Sequence, residues 1–498
     1  MSQTTNNSLL PKGWVWTKLG EIAEINPKLP MTAIQDNLTA SFLPMKAVEE
    51  KTGRIDLSIT KIFRDVKKGY TPFTNGDIIF AKITPCMENG KIAIVNNLTN
   101  GVGFGSTEFH VIRLGDPIEK KLLFFFFLQD EYRKTAQRNM TGSAGQLRVP
   151  AYFVENTFFP LPPPEEQRRI VARLEELFTR LEAGVEAIKK AKAELKRYRQ
   201  AVLKHAFEGK LTEEWRKENI GKMEPASVLL ERIKKNVGAT LAVARTRNKR
   251  AGASPAPAND LPQLPEGWVW TRVGNIVEDI ENVDPKIEPN KEFIYLDIAS
   301  TDNTQQKITS PKKYFGKDAP SRARQLIKSG DILFSTVRTY LKNIAIVNEI
   351  YDGQIASTGF CVIRPFRQIN NKFIFLITQT DSFLNPLTQL QRGTSYPAVR
   401  DSDVFAQSIP LPPLPEQHKI VEEIECRFSV ADEVEKTIDQ GLRQAERLRQ
   451  SILKRAFEGK LVPQDPTDEP ASVLLEKIRL QRQQTEQHIR PKRKKTGG

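Results

Sequence analysis

Apolar residues recur along this chain in two rhythms, and each rhythm occurs twice. Between positions 164 and 208, Leu174, Leu181, Ile188, Leu195 and Val202 return every seventh residue. Ile170, Leu177, Ala191 and Tyr198 fill a second heptad position, with Gly184 a gap in it. Between 414 and 458 the rhythm is Ile424, Ala431, Ile438, Ala445 and Ile452, with Ile420, Val434 and Leu448 in the second position. A heptad rhythm sustained this long predicts a coiled-coil seam, where a helix packing on its own domain would need less length. The small residues Gly184, Ala431, Gly441 and Ala445 are expected opposite larger ones. Each helix starts behind a proline stop, Leu161-Pro162-Pro163-Pro164 and Leu411-Pro412-Pro413-Leu414-Pro415, and ends on Phe207-Glu208-Gly209 or Phe457-Glu458-Gly459, a glycine cap. At ~1.5 Å per residue such a helix spans about 65 Å. Antiparallel packing of the two would put one globular domain at each end.

The other rhythm is that of short strands broken by turns, in 11–160 and again in 265–410. Asp77-Ile78-Ile79-Phe80 and Lys91-Ile92-Ala93-Ile94-Val95 are β-rich runs, with Asn75-Gly76 and Asn89-Gly90 as turns and a helical patch from Ile118 to Arg138. Gly101-Val102-Gly103-Phe104-Gly105 is expected as a tight turn between strands. Trp14, Trp16, Trp268 and Trp270, at strand spacing, are expected in core or edge packing rather than in base stacking.

These segments are two copies of one unit. Gly13-Trp14-Val15-Trp16-Thr17 returns as Gly267-Trp268-Val269-Trp270-Thr271, and Gly76-Asp77-Ile78-Ile79-Phe80 as Gly330-Asp331-Ile332-Leu333-Phe334. Ile92-Ala93-Ile94-Val95 returns as Ile344-Ala345-Ile346-Val347, and Glu224-Pro225-Ala226-Ser227-Val228-Leu229-Leu230-Glu231 as Glu469-Pro470-Ala471-Ser472-Val473-Leu474-Leu475-Glu476. A period of about 250 residues is too long for a solenoid and implies tandem domains. Between the shared blocks the copies differ: Met31 to Asp65 has no evident counterpart in Asn282 to Arg322. The expected fold is α+β, two similar mixed domains separated by two long helices in an antiparallel coiled coil. Its parts are 11–160, a first globular domain; 161–211, a central helix; 212–264, helix and linker; 265–410, a second globular domain; 411–461, a distal helix; and 462–498, a C-terminal helix and basic tail. The Ala-, Pro- and Arg-rich stretch from Val237 to Asp260 has no second copy and reads as a disordered insertion. The run Arg490-Pro491-Lys492-Arg493-Lys494-Lys495 reads as a solvated terminus.

Composition narrows the function. Lys and Arg number 75 against 60 Asp and Glu, a net charge of +15, which favours a polyanionic partner. A membrane partner is not expected, since the most apolar run, Leu122 to Leu128, is far short of a bilayer span. Cys86, Cys361 and Cys426 lie far apart, as suits a reducing cytoplasm rather than a zinc or disulfide framework. The four histidines are scattered. No phosphate-binding loop and no amino-methyltransferase tetrad occurs, and Glu208-Gly209-Lys210 reads as a helix cap rather than a nuclease metal site. A basic, duplicated chain without a catalytic set reads as a binder, not an enzyme, with no catalytic or metal-binding residue of its own.

The ordered blocks resemble the specificity (S) subunits of type I restriction-modification systems. The carrying residues are Leu161 to Gln167 running into Ile170-Val171, Leu411 to Gln417 running into Ile420-Val421, and the helix ends Leu203 to Leu211 and Leu453 to Leu461. The resemblance spans nearly the whole chain apart from 237–260. It implies two target recognition domains, each reading half of a bipartite double-stranded DNA site, and helices that act as a spacer ruler. It further implies docking of modification (methyltransferase) subunits, two of them, and of restriction subunits that translocate and cleave DNA. S-adenosylmethionine, ATP and Mg belong to those partners, with no cofactor in this chain.

DNA-facing candidates are polar or basic residues at turns beside the framework strands. In the first domain these are Lys82, Thr84 and Lys91, then Arg138, Ser143, Gln146 and Arg148 in a Gly-rich loop. In the second they are Arg338, Tyr340 and Lys342, then Arg392, Thr394, Tyr396 and Arg400. Arg and Gln discriminate bases, whereas Lys mostly meets phosphate. The competing reading is a coiled-coil assembly scaffold that does not read DNA. The repeated Glu-Pro-Ala-Ser-Val-Leu-Leu-Glu suits docking under either reading, but a scaffold has little need of two different surfaces.

Overall fold

A computed structural model of the chain describes residues 10–241 and 261–489, apart from positions 144 and 394. The chain divides into two compact units, one made of residues up to 188 together with those from 439 onward, the other of 189–438. The division cuts both long helices, Pro164–Phe207 and Leu414–Phe457. Each unit therefore holds the first half of one helix and the second half of the other.

In the first unit a central antiparallel sheet runs in the order Ala23–Ile25, Phe109–Leu114, Ile78–Ala81, Ile92–Ile94. One face sends Ile78, Phe80, Ile92 and Ile112 toward the helices, where Lys120–Phe127 buries all of Leu122 to Phe127. The other face sends Ile79, Ala81, Ala93 and Val111 toward Leu43 and Phe73 of a second sheet. Burial on both faces is why Ile78–Ala81 is apolar throughout instead of alternating. The second sheet runs Thr60–Ile62, Thr39–Leu43, Val102–Gly105, Thr71–Thr74, antiparallel except for its central parallel pair. A ribbon of Val15–Lys18 with Phe158–Leu161 leads into the first long helix.

The Gly101–Gly105 run is thus a strand with a turn only at its start, not a turn throughout. Gly101 takes φ +73°, and a Cβ at Gly103 would stand 2.1 Å from the Phe73 ring. The glycines admit that ring against the backbone.

The second unit repeats the plan. Its central sheet runs Val277–Glu278, Phe360–Pro365, Ile332–Ser335, Ile344–Ile346, and the other Lys312–Phe315, Glu292–Leu296, Ile355–Ser357, Ala323–Leu326. Thr39–Leu43 and Glu292–Leu296 hold the same place, each beside a parallel neighbour. The two segments without sequence counterparts therefore supply equivalent strands, and what diverged is the side chains.

The long helices pack antiparallel within each unit. In the first, Arg449 pairs with Glu182 at 3.0 Å, and a Cβ at Gly441 would touch Ile188 at 3.4 Å. In the second, Arg199 pairs with Asp432 at 2.8 Å and Glu435 at 2.9 Å. At the main heptad position Leu174, Val202, Ile424, Ala431 and Ile452 are buried, the first three and Ile452 among the globular cores, and Leu181, Ile188, Leu195, Ile438 and Ala445 are half-buried.

The second heptad position is corrected by one residue. Tyr198, Val434 and Leu448 are exposed, as are Ala191 and Gly184. Nothing stands within 4 Å of a Cβ at Gly184. Leu177 is half-buried against the globular core, and Ile170 and Ile420 belong wholly to the two globular cores. Phe178, Lys192, Arg199, Phe428, Glu435 and Arg449 take the seam instead. Those charges pair across the seam, so apolarity marked the neighbouring positions.

The repeated Glu-Pro-Ala-Ser-Val-Leu-Leu-Glu is not a free docking face. It opens helices Ala226–Leu241 and Ala471–Ile489. Ala226, Leu229, Leu230 and Ile233 are buried in the core of the second unit, and Ala471, Leu474, Leu475 and Ile478 in that of the first. The amide N–H of Ala226 donates to the Gly267 carbonyl at 3.0 Å and that of Ala471 to Gly13 at 2.8 Å. Of the stretch expected as a disordered insertion, residues 237–241 instead continue the first of these helices. Residues 242–260 and the basic run 490–495 lie outside the described residues.

Candidate nucleic-acid interface

In the first domain two segments distant in sequence form one surface. The strand Ile78–Ala81 ends at Lys82, whose carbonyl accepts from the Val149 amide at 2.8 Å. The Thr84 amide donates to the Leu147 carbonyl at 3.0 Å. Thr141 and Arg148 exchange backbone hydrogen bonds at 2.9 Å and close the loop between them as a hairpin. Lys82, Thr84, Ser143, Gln146 and Arg148 are thereby brought together, the hairpin tip being exposed.

Buried side chains brace this surface. His110 Nε2 donates to the Val149 carbonyl at 2.8 Å while Nδ1 accepts from Asn26 at 3.1 Å; burial pushes the imidazole pKa down from its ordinary value of 6.5. The Arg148 guanidinium forks onto Glu108 through two hydrogen bonds of 2.8 Å, which holds that carboxyl below its usual range. Thr84 Oγ1 donates to Glu88 at 2.7 Å. Two candidates lie elsewhere. The Lys91 ammonium donates to the carbonyls of Val48 (3.0 Å) and Met45 (3.3 Å) and is occupied inside the domain. Arg138, the exposed last residue of helix Asp130–Arg138, lines a small cleft with Lys134, Gln450 and Lys454.

The second domain keeps these backbone bonds and changes the side chains. The Val399 amide donates to Thr336 at 2.9 Å and the Arg338 amide to Pro397 at 2.8 Å, and Arg392 and Ala398 exchange bonds of 2.9 and 3.0 Å. By this matching Thr84 corresponds to Arg338 and Arg148 to Ala398. Glu108 corresponds to Gly359, each giving its carbonyl to the residue after the strand. Arg338 lies 5.1 Å from the centroid of the Tyr396 ring. Tyr340 and Tyr396 are 52% and 73% exposed. Lys342 donates to the Gln379 carbonyl at 3.1 Å and pairs with Asp381 at 3.2 Å.

Arg392 and Arg400 instead line a cleft of about 1630 Å³ with Lys204, Trp270, Arg272 and Phe383. The Arg400 amide also donates to the Asp403 carboxylate at 2.9 Å and starts helix Asp401–Phe405. Thr394 lies outside the described residues.

The tryptophans and the proline motifs turn out to be one device. Trp14 and Trp268 are buried, and each indole N–H donates to the glutamate of the motif that starts a long helix, Glu166 at 2.9 Å and Glu416 at 2.8 Å. Gln167 and Gln417 fold back on Pro162 and Pro412, both at 2.9 Å, and accept from the amides of Glu119 and Asn370. Trp16 is 40% exposed at the ribbon edge, and Trp270 donates to the Pro262 carbonyl at 3.0 Å. The sequence does not disclose the bracing residues Asn26, Glu108 and His110, because their role depends on pairings that no local pattern announces.

Among the described residues no group of three His, Cys, Asp or Glu is placed to hold a metal ion. No described helix is long and apolar enough to cross a membrane. The family model for the type I restriction modification DNA specificity domain matches residues 11–193 and 265–444. The specificity subunit of the type I restriction enzyme EcoAI of Escherichia coli is 30% identical over 467 residues, covering 84% of this chain and 77% of that protein. A solved chain from a type I R-M system superposes with a TM-score of 0.67 at 22% identity, over 91% of this chain and 99% of the other. The HsdS subunit of Thermoanaerobacter tengcongensis gives 0.52 at 21%, with the same coverage. With both copies of its repeat matched, the chain belongs to the type I restriction-modification DNA specificity family.

Proposed function

We propose that the chain is the sequence-reading, non-catalytic subunit of such a system. Each globular domain reads one half of a bipartite duplex site. Two modification subunits and the restriction subunits dock on the chain, and its place of work is the cytoplasm. S-adenosylmethionine serves the modification subunits, and ATP with Mg the restriction subunits. The observation that carries this reading is the pair of matched loops: the backbone bonds at Lys82–Val149 and Thr336–Val399 coincide, while Thr84, Glu108 and Arg148 become Arg338, Gly359 and Ala398. One framework presenting two side-chain sets is what reading two different half-sites requires. The net charge of +15 supplies the sequence-independent attraction to phosphate that accompanies such reading.

The test is exchange of residues 265–410 for the equivalent domain of a related subunit, followed by sequencing of the methylated motif in cells that also carry the modification subunit. One half-site should change and the other persist; a change in both would refute the two-reader arrangement. A scaffold that does not read DNA would leave the motif untouched and show no salt-dependent affinity for duplex DNA. The chain alone, given S-adenosylmethionine or ATP and DNA, should neither methylate nor cleave.

A further inference from the structure

We propose that Arg338 is the base-discriminating residue of the second domain, reading the paired acceptors O6 and N7 of a guanine, with Tyr396 holding its guanidinium flat. The proposal rests on the reading of this chain as a DNA specificity subunit and names one determinant within it.

The backbone is the first observation. Arg338 and Lys342 adopt φ of +49° and +54°, a left-handed conformation uncommon for residues with a side chain and concentrated at functional sites. They bracket the single turn Thr339–Leu341. That turn is pinned from below: Thr339 is buried, its hydroxyl accepts from Gln391 at 2.7 Å, and Thr388 lies at 3.3 Å. Lys342 ties the far end to Gln379 and Asp381. The unusual conformation is therefore imposed by anchors on both sides, and its consequence is where Arg338 points.

The side chain is the second observation. Arg338 Nη2 donates to the Ser395 carbonyl at 3.0 Å, and its guanidinium lies 5.1 Å from the Tyr396 centroid. Its Nε is buried without a partner among the described residues. One edge of the fork is thus turned into the protein, which leaves the Nη1 amino group and the remaining Nη2 hydrogen for a ligand. Arg148 in the first domain is forked onto Glu108. The second domain has Gly359 and Ala398 at those two places, and no carboxylate among the described residues pairs with Arg338. The first domain ion-pairs its loop arginine, whereas the second leaves one without a carboxylate partner among the described residues and holds it over a tyrosine ring.

Two parallel donors in a fixed plane match two adjacent acceptors. In the major groove guanine presents such a pair, adenine presents an acceptor beside a donor, and cytosine presents a donor. A lysine would keep the charge without the planar fork. The same fork also fits a phosphate, but a phosphate contact weakens binding to all sequences alike, whereas a base contact changes the motif.

The experiment uses the full chain with its modification subunit in cells and reads the methylated motif for wild type, R338Q and R338K. The wild-type motif is expected to hold a guanine at one position of one half-site. R338Q and R338K should both relax that position alone, lowering the guanine preference by about 5- to 150-fold. The other half-site, unchanged, reports intact folding and assembly. An unaltered motif in both variants overturns the proposal, and so does a uniform loss of methylation at all sites with the motif retained. Should R338Q abolish methylation, binding of the purified complex to duplexes with each base at that position decides. Equal affinity for all four supports the proposal, and a retained guanine preference overturns it. A wild-type chain that directs no bipartite motif would defeat the underlying reading instead.

Discussion

Arg449 lies over the ring of Phe178, 4.6 Å from its centroid, and the same arrangement recurs one repeat away, where Arg199 lies 5.5 Å over Phe428. Each arginine also reaches an acid, Glu182 at 3.0 Å and Asp432 at 2.8 Å. The Arg449 side chain is only 14% exposed while Glu182 is 52% exposed, so the ring and the aliphatic stem matter more than the screened ion pair. R449A should cost about 1–2 kcal/mol of unfolding free energy, read by chemical denaturation. R449M, which keeps the packing without the charge, should lie within about 1 kcal/mol of wild type. Equal losses in the two variants would show that the guanidinium charge, not the packing of the stem on the ring, holds the seam.

Glu416 and Glu166 occupy matched places but carry different burdens. Glu416 accepts from Trp268, Thr212 and Arg216 at 2.7–2.8 Å, and the Arg216 side chain is 9% exposed. E416A strands that buried cation and should cost about 3–5 kcal/mol. Glu166 accepts from Trp14, but its second oxygen is buried without a partner among the described residues. Burial pushes its carboxyl pKa above the ordinary 4.5. A carboxyl whose pKa rises on folding favours the native state below 4.5, and that advantage is lost as pH climbs through the raised value. E166Q, which keeps an acceptor for Trp14 without the charge, should therefore raise Tm at pH 7.5, with the gain shrinking as pH approaches 4.5. A gain independent of pH would contradict this account.

His110 gives the first domain an acid-sensitive group at a place where the second has Cys361. The folded chain holds it neutral, with its pKa below 6.5. Below pH 6.5 the unfolded chain takes up a proton that the folded one resists. Stability from this group is thus complete above 6.5 and declines as pH falls toward the depressed value. Hydrogen-exchange protection of the Thr84 and Val149 amides, corrected for intrinsic rate, should drop between pH 7.5 and 5.5. H110C should lower the baseline, since it removes the bond to the Val149 carbonyl, but flatten the pH dependence. If H110C keeps the full drop, another group is responsible.

What the sequence disclosed and what it concealed have physical reasons. The helix limits were legible because prolines and glycines punctuate both ends, and the sheets because Ile78–Ala81 and, in its copy, Ile332–Phe334 are apolar on two buried faces. The second seam position was not legible, since Lys192, Arg199, Glu435 and Arg449 look like surface residues until their partners on the other helix are known. The candidate surface was half legible. Arg148 and Arg338 stand out in the sequence as basic and next to turns, but that Arg148 pairs with Glu108 and Arg338 lies over Tyr396 depends on contacts spanning 40 and 58 residues. Lys91 stands out on the same grounds and is consumed by two backbone carbonyls, which only the folded loop reveals.

The long helices give the most direct test of the two-reader arrangement. Each is 44 residues and unbroken, so a change of length in both should alter the spacing of the half-sites that the domains read. One inserted residue adds ~1.5 Å and rotates the remainder of the helix by about 100°, which would throw the charged seam pairs out of register and abolish binding. Seven residues preserve the heptad phase and add ~10.5 Å, about three base pairs of rise at ~3.4 Å each. Matched seven-residue insertions near Lys190 and Gln440 fall between the ion pairs Arg449–Glu182 and Arg199–Asp432 along both helices. They should restore a paired seam and lengthen the non-specific spacer of the methylated motif while leaving both half-site sequences intact. An insertion in one helix alone should be inactive, because the two seams could no longer close together. An active double variant with an unchanged spacer would mean that something other than the helices sets the distance, and each helix would then be read as a brace for its own globular domain.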